Sequence, residues 1–234
     1  MTFFENAVVL AAGQGRRMQP YSGKTPKQLL TGPSGQTMLN QQINWAQQLA
    51  NQVHVTVGYE KNKVSEEALN SGASSVTIVD DLGNAAWITK SSLGEIRDPT
   101  LVVTCDNLMR INKTDLLADY QDSGHPICML IPVHPAIPSS GDLIEAEKGT
   151  VTSLRRIVGT KNIASGLQIL QPEKIQKIAK NKFNFTEIWE LLIEMGSLKV
   201  GKIAPTEWIA VDQPEDLHLL ETWDKKQASK ITND

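Results

Sequence analysis

Ala7-Val8-Val9-Leu10-Ala11-Ala12-Gly13-Gln14-Gly15-Arg16-Arg17-Met18 opens as a short, unbroken apolar run, passes into small residues and two glycines, and ends on two arginines. A run of that length bounded by glycine reads as a buried strand, Ala7–Ala12. The glycines behind it let backbone N–H groups come close to an anion, so strand followed by glycine loop is a phosphate-binding arrangement. Local charge supports this. Between Asn6 and Tyr59 there is no Asp or Glu, while Arg16, Arg17, Lys24 and Lys27 all fall in that interval, in a chain whose formal net charge is −3.

Working outward, similar apolar and β-branched runs recur at Val53–Val57, Ser75–Val79, Leu101–Thr104, Ile127–Val133, Ser165–Leu170 and Lys199–Ile203. Between them apolar residues return every three to four positions: Met38, Leu39, Ile43, Ala46 and Leu49; Leu116, Leu117 and Tyr120; Ile188, Leu191, Leu192 and Met195. Strands alternating with amphipathic helices predict an α/β protein built on a parallel sheet. Pro172 and Pro214 read as first-turn prolines, the second opening a final helix from Pro214 to about Lys226. The stretch Pro132–Gly149, rich in Pro, Ser and Gly, reads as a long loop or a small excursion from the sheet, the place for an acceptor-side lobe. We expect one domain over 1–226 and a polar, frayed tail over 227–234.

Composition narrows the function. With 234 residues, 40% hydrophobic and 21% charged, the chain is globular, and disorder, collagen and coiled coil are poor fits. A slightly acidic chain has no overall basic field for nucleic acid or an anionic membrane. No run approaches a membrane span and the N-terminal apolar run is too short for a signal peptide. Cys105 and Cys128 each lie in an apolar run and read as reduced and structural, which predicts a cytoplasmic protein. His54, His125, His134 and His218 share no metal-ligand spacing.

The glycine loop is not a Walker loop, because Gly-x-x-x-x-Gly-Lys-Ser/Thr is absent. A dinucleotide loop would need a third glycine where Met18 stands and an acid about 20 residues on. Leu10 to Leu30, with Pro26-Lys27-Gln28-Leu29 after the loop, resembles instead the signature of the sugar-phosphate nucleotidyltransferases. Gly13, Gly15, Arg17, Pro26, Lys27 and Leu29 fall on the family positions, with Arg16 where the family usually has Ser or Thr. The resemblance runs from about Val8 to Leu217. It implies a Rossmann-like, mostly parallel mixed sheet in one domain, with Leu10, Ala11, Ala12, Gly13, Gln14, Gly15, Arg16 and Arg17 around a nucleoside triphosphate. By the same resemblance Arg17 holds its phosphates and Lys27 bridges toward an acceptor phosphate.

Two carboxylates complete the pattern. Leu101-Val102-Val103-Thr104-Cys105-Asp106-Asn107 is a buried strand ending abruptly in an acid, where open α/β sheets gather their sites. Apart from Cys105 for Gly, Cys105-Asp106-Asn107 resembles the family's Gly-Asp-Asn element. Trp208-Ile209-Ala210-Val211-Asp212-Gln213-Pro214-Glu215-Asp216-Leu217 resembles its closing motif. Asp106 and Asp212 are thereby implied as ligands of Mg²⁺, the ion that neutralises the polyphosphate in nucleotidyl transfer. Asp80-Asp81-Leu82-Gly83-Asn84-Ala85-Ala86 resembles the family's segment beside the nucleobase, which implies Gly83 and Asn84 there. An ordinary strand-to-helix turn with Asn84 as cap is the equal alternative. Gln14, Gln28 and Asn84 are each able to read a base.

For the acceptor, the resemblance implies Asn107, Gly141, Glu145, Glu187 and Arg156, with Arg155 or Lys161 as substitutes for the last. The expected reaction joins a sugar 1-phosphate to the nucleotide with release of pyrophosphate. A cytidylyltransferase acting on phosphocholine is the nearest rival, since Trp189 and Trp208 could cage a quaternary ammonium. A non-catalytic nucleotide-sensing module is the rival from another class. The partners expected are a nucleoside triphosphate and a small phosphorylated acceptor, with no nucleic acid and no membrane; a homo-oligomer is compatible with the sequence.

Overall fold

The computed structural model describes residues 4–18, 23 and 25–231, with backbone alone at 81 and 227–231. Pro20 and Lys24 of the basic segment lie outside the described residues, as does the end of the polar tail.

Eleven strands and seven α-helices are present among the described residues. In chain order they are β1 Phe4–Ala11, α1 Met38–Gln47, β2 Ala50–Val57, α2 Lys61–Asn70, β3 Ser75–Ile78, α3 Ala86–Lys90, β4 Thr100–Thr104 and β5 Asn107–Arg110. They continue as α4 Lys113–Asp122, β6 Cys128–Val133, β7 Ser139–Glu147, β8 Thr150–Gly159, β9 Ile163–Leu170, α5 Pro172–Ile178, α6 Phe185–Glu194, β10 Leu198–Val200, β11 Glu207–Ala210 and α7 Leu217–Ile231. One sheet has the order β3-β2-β1-β4-β9-β6-β10-β8-β7, and β5 and β11 form a separate two-stranded ribbon.

The fold is a mixed α/β single domain, and the mixture has a division. The half made of β3, β2, β1 and β4 is parallel. From β9 onward most pairings are antiparallel, only β10 with β6 remaining parallel. Helical crossovers connect the parallel strands, whereas short links connect β7, β8 and β9, and a short link reverses the chain. Apolar strands alternate faces with period two: Val9, Val55, Val103 and Ile169 join one core, Val8, Val102, Leu130 and Leu170 the other. Helices cover both, which is why these strands read as continuously apolar.

Three expectations change. Pro132–Gly149 is not mainly loop: β7 and β8 pair from Ser139 with Gly159 to Glu147 with Thr150, a long hairpin turned by Lys148 and Gly149, both at positive φ. β5 and β11, absent from the strand reading, pair antiparallel. The C-terminal segment remains helical through Ile231 rather than fraying at 227.

Candidate active site

β1 and β4 are parallel neighbours, and the chain leaves β1 for β2 on one side before returning to β4 on the other. Their carboxyl ends therefore open side by side at a switch point of the sheet, the crevice where such folds bind ligands. Leu10 pairs with Thr104, and the Cys105 N–H donates to the Leu10 carbonyl at 3.1 Å. The glycine loop and Asp106 are brought together by that register alone.

The loop is shaped by Gly15, at φ +61°, where a Cβ would stand 2.7 Å from the Lys27 Cβ. Only glycine allows both the turn and the approach of Lys27. Gly13 has open space around it, leaving its backbone accessible. Behind the loop, buried Gln28 donates from Nε2 to the Ala11 carbonyl and, at 2.9 Å, to the Gly13 carbonyl. Gln28 thus spends its amide nitrogen on holding the loop, not on a base. Among the described residues its Oε1 is buried without a partner.

Asp212 reaches the same point from the far end of the chain. β5 follows Asp106 directly and pairs with β11, Asn107 opposite Ala210, and the Val211 N–H donates to the Asp106 carbonyl at 3.0 Å. The ribbon delivers Asp212 beside Asp106. Asp216 then accepts from the backbone N–H of Asp212 at 2.8 Å and of Gln213 at 3.0 Å, fixing the corner ahead of α7.

Between the two acids lies the Lys27 ammonium, 3.0 Å from Asp106 and 3.1 Å from Asp212, on a side chain only 9% exposed. Arg17 also reaches Asp212 at 3.0 Å. Burial pulls the Lys27 pKa down, but the two carboxylates outweigh it and hold it above its usual range. Burial likewise pushes Asp106 up, and Lys27 together with a hydrogen bond from Thr104 brings it below the usual carboxylate range. Cys105 has its thiol pushed up by burial and is no nucleophile.

Two cavities meet at these residues. The first, about 280 Å³, is lined by Ala11, Gly13, Gly15, Arg16, Lys27 and Gln28. The second, about 340 Å³, is lined by Asn84, Asn107, Gly141, Arg156, Gln168 and Trp189 among others. Leu10, Arg17, Asp106 and Asp212 belong to both. Two adjoining cavities sharing a wall that holds both acids is the geometry a two-substrate transfer requires.

The remaining expected residues divide. Ala12 and Gln14 are on the loop but line neither cavity, and Gln14 accepts from Arg16 Nε at 2.8 Å. Gly83 lines neither cavity, while Asn84 lines the second and, instead of capping α3, accepts at Oδ1 from the Phe185 N–H at the start of α6, at 2.9 Å. Asn107 donates to the Thr104 hydroxyl. Arg156 lies at the second cavity paired with Asp142 at 3.3 Å, whereas Arg155 does not line it. Glu145 and Glu187 are corrections. Glu145 points along the hairpin to Ser153 and Arg155. Glu187 accepts from the Asn184 and Phe183 N–H groups in the capping box of α6, which hold its pKa below the usual range. Neither lines a cavity.

Sequence reasoning passed over Gly166 and Gln168. Gly166 has φ +83°, and a Cβ there would strike Asn107 and Thr104. A Gly and a Gln inside a largely apolar strand were the available signals.

Fold and site together define a nucleotidyltransferase-type α/β domain. A family model described as the MobA-like NTP transferase domain matches residues 7–141, and the chain belongs to that family. Among solved structures it is similar to the inositol-1-phosphate CTP transferase of T. maritima, with 16% identity, TM-score 0.74, and coverage of 93% of this chain and 95% of that one. It is also similar to the CTP:phosphocholine cytidylyltransferase LicC of Streptococcus pneumoniae, with 18% identity, TM-score 0.71, and coverage of 94% and 99%. No curated protein matches the chain. No helix among the described residues is long and apolar enough to cross a membrane.

Proposed function

We propose that the protein transfers a nucleoside monophosphate from a nucleoside triphosphate to a sugar 1-phosphate, releasing pyrophosphate and forming a nucleotide-activated sugar. The observation that carries this reading is the shared wall: Arg17, Asp106 and Asp212 border both cavities. The triphosphate takes the glycine-loop cavity and the acceptor the other. An acceptor phosphate oxygen attacks the α-phosphorus in line as the bond to pyrophosphate breaks. The nucleophile is already an anion, so the protein supplies orientation and positive charge rather than a base. Arg17 and Lys27 are the cations at the junction.

Asp106 and Asp212 would hold Mg²⁺. Among the described residues no group of three or more His, Cys, Asp or Glu forms a metal cage. A pair of hard carboxylate oxygens converging on one cation suits Mg²⁺, which keeps waters and takes its other ligands from phosphates. When bound, the ion neutralises charge on the reacting phosphates. Cys105 and Cys128, both buried and neither in a disulfide, favour a cytoplasmic setting for the reaction.

A second reading keeps the chemistry with phosphocholine as acceptor, because Trp189 and Trp208 both line the second cavity. The test is pyrophosphate release in Mg²⁺, crossing the four ribonucleoside triphosphates and dTTP with sugar 1-phosphates and phosphocholine. A productive sugar 1-phosphate supports the proposal. Nucleotide binding without pyrophosphate release from any pair overturns it in favour of a sensing module.

A further inference from the structure

Gln168 lies in β9, opposite Val102 of β4 on one side and Leu130 of β6 on the other, and is 5% exposed. Its Oε1 accepts from the Trp189 indole N–H at 3.0 Å and from the Cys128 thiol at 3.4 Å. An indole N–H only donates. Burial pushes the Cys128 thiol up, so it keeps its proton at neutral pH. A flipped amide would set its NH₂ against these two donors, so the orientation follows from the chemistry of the neighbours. The NH₂ end has no hydrogen-bond partner within the described chain, and the residue lines the second cavity.

We propose that Gln168 is the specificity-determining donor of the acceptor cavity, offering its amide N–H groups to a hydroxyl or carbonyl oxygen on the non-phosphate end of the acceptor and selecting a polyhydroxylated acceptor over a quaternary ammonium. This rests on the nucleotidyl-transfer reading above. A trimethylammonium group carries no acceptor, and it would bring positive charge against the positive end of the amide while covering that cavity-facing donor without pairing it. The rest of the wall agrees. Asp142, the acid on that wall apart from Asp106 and Asp212, is already paired with Arg156 at 3.3 Å. The indole N–H of Trp208 is likewise tied back, to the Ser165 carbonyl at 2.9 Å, so it does not compete with Gln168 as a donor to the acceptor.

The test uses the whole protein, the sugar 1-phosphate that it turns over best, the monodeoxy analogues of that sugar, and phosphocholine. Wild type is expected to lose about tenfold in kcat/KM on one particular monodeoxy analogue, as for one lost hydrogen bond. Gln168→Met, similar in shape but without the donor or the oxygen that holds Trp189 and Cys128, is expected to lose at least as much on the parent sugar and nothing further on that analogue relative to it, with KM for the triphosphate unchanged. Gln168→Glu keeps an oxygen for Trp189 and Cys128 and is expected to raise the phosphocholine-to-sugar ratio of kcat/KM. A flat response of wild type to all the monodeoxy analogues overturns the assignment without any variant. Wild-type turnover of phosphocholine but no sugar phosphate overturns it while leaving nucleotidyl transfer standing; pyrophosphate release from no acceptor removes both.

Discussion

Lys27 and Asp106 stand 79 positions apart in the chain and 3.0 Å apart in space, and Asp212 binds the same ammonium at 3.1 Å. One buried cation, lining the first cavity, thus marks the point on which both acids converge, and those acids border both cavities. Replacing Asp106 by Asn removes charge there without changing shape. We expect kcat to fall by about 10²-fold or more, as when charge stabilisation of a transition state is removed. Nucleotide binding measured by calorimetry without Mg²⁺ should persist, since the glycine loop is untouched. Turnover near wild type in Mg²⁺ would falsify the assignment of Asp106.

The pH dependence of stability should not come from this pair. Asp106 is lowered from 3.8, so its contribution is present above that value and fades only as pH falls through the lower folded pKa. Lys27 is raised from 10.5, so its contribution is lost only as pH climbs past that value. His54 is a group that acts near neutrality. Burial lowers it from 6.5, and its ring nitrogens are held by Ser75 at 2.8 Å and Asn6 at 3.0 Å. The unfolded chain takes up the proton first, so stability is lost as pH falls from 6.5 toward the folded pKa. The denaturant midpoint of wild type should drop between about pH 7.5 and pH 5, and that of His54→Asn should drop less. Equal drops would remove His54 as the cause.

Glu187 separates capping from substrate binding. Its carboxylate accepts from the Phe183 and Asn184 N–H groups, and it lies outside both cavities. Glu187→Ala should lower Tm by a few degrees through loss of the capping box and leave KM for the acceptor unchanged. A raised acceptor KM at unchanged Tm would return the residue to the site.

What could be read in advance followed physical lines. Glycine loop, cations and Asp106 were legible because loop and acid each follow directly on an apolar strand and each carries its own chemistry. Asp212 was identifiable by motif, yet what places it is the ribbon of β5 and β11, two four-residue strands too short for a periodic signal and formed only by pairing across the chain. The β7–β8 hairpin was hidden because much of β7 is polar or small and only partly buried; the Lys148-Gly149 turn was its one local cue. Glu145 and Glu187 were misread because linear spacing does not say which way a side chain leaves its strand or helix. Gln168 gave the opposite signal, a polar residue in an apolar strand, which means a satisfied or a functional amide.

Gly166 tests whether the floor of the second cavity is set by backbone. At φ +83° an alanine would be strained, and its methyl would press on the Asn107 amide and the Thr104 hydroxyl. Those two side chains are bonded to each other, and the carbonyls of the same residues both accept from Gln42 Nε2 at 3.0 Å. The turn carrying Asp106 is therefore held from two sides, and pushing on one side must shift Asn107 or distort the strand. Gly166→Ala should lose about 1–3 kcal/mol of stability, seen in denaturant melts. In the fraction that remains folded, KM for the acceptor should rise more than KM for the triphosphate, because Gly166 and Asn107 line the second cavity and not the first. An equal rise in both would mean that the substitution acts on Asp106 and the junction as a whole rather than on the acceptor floor.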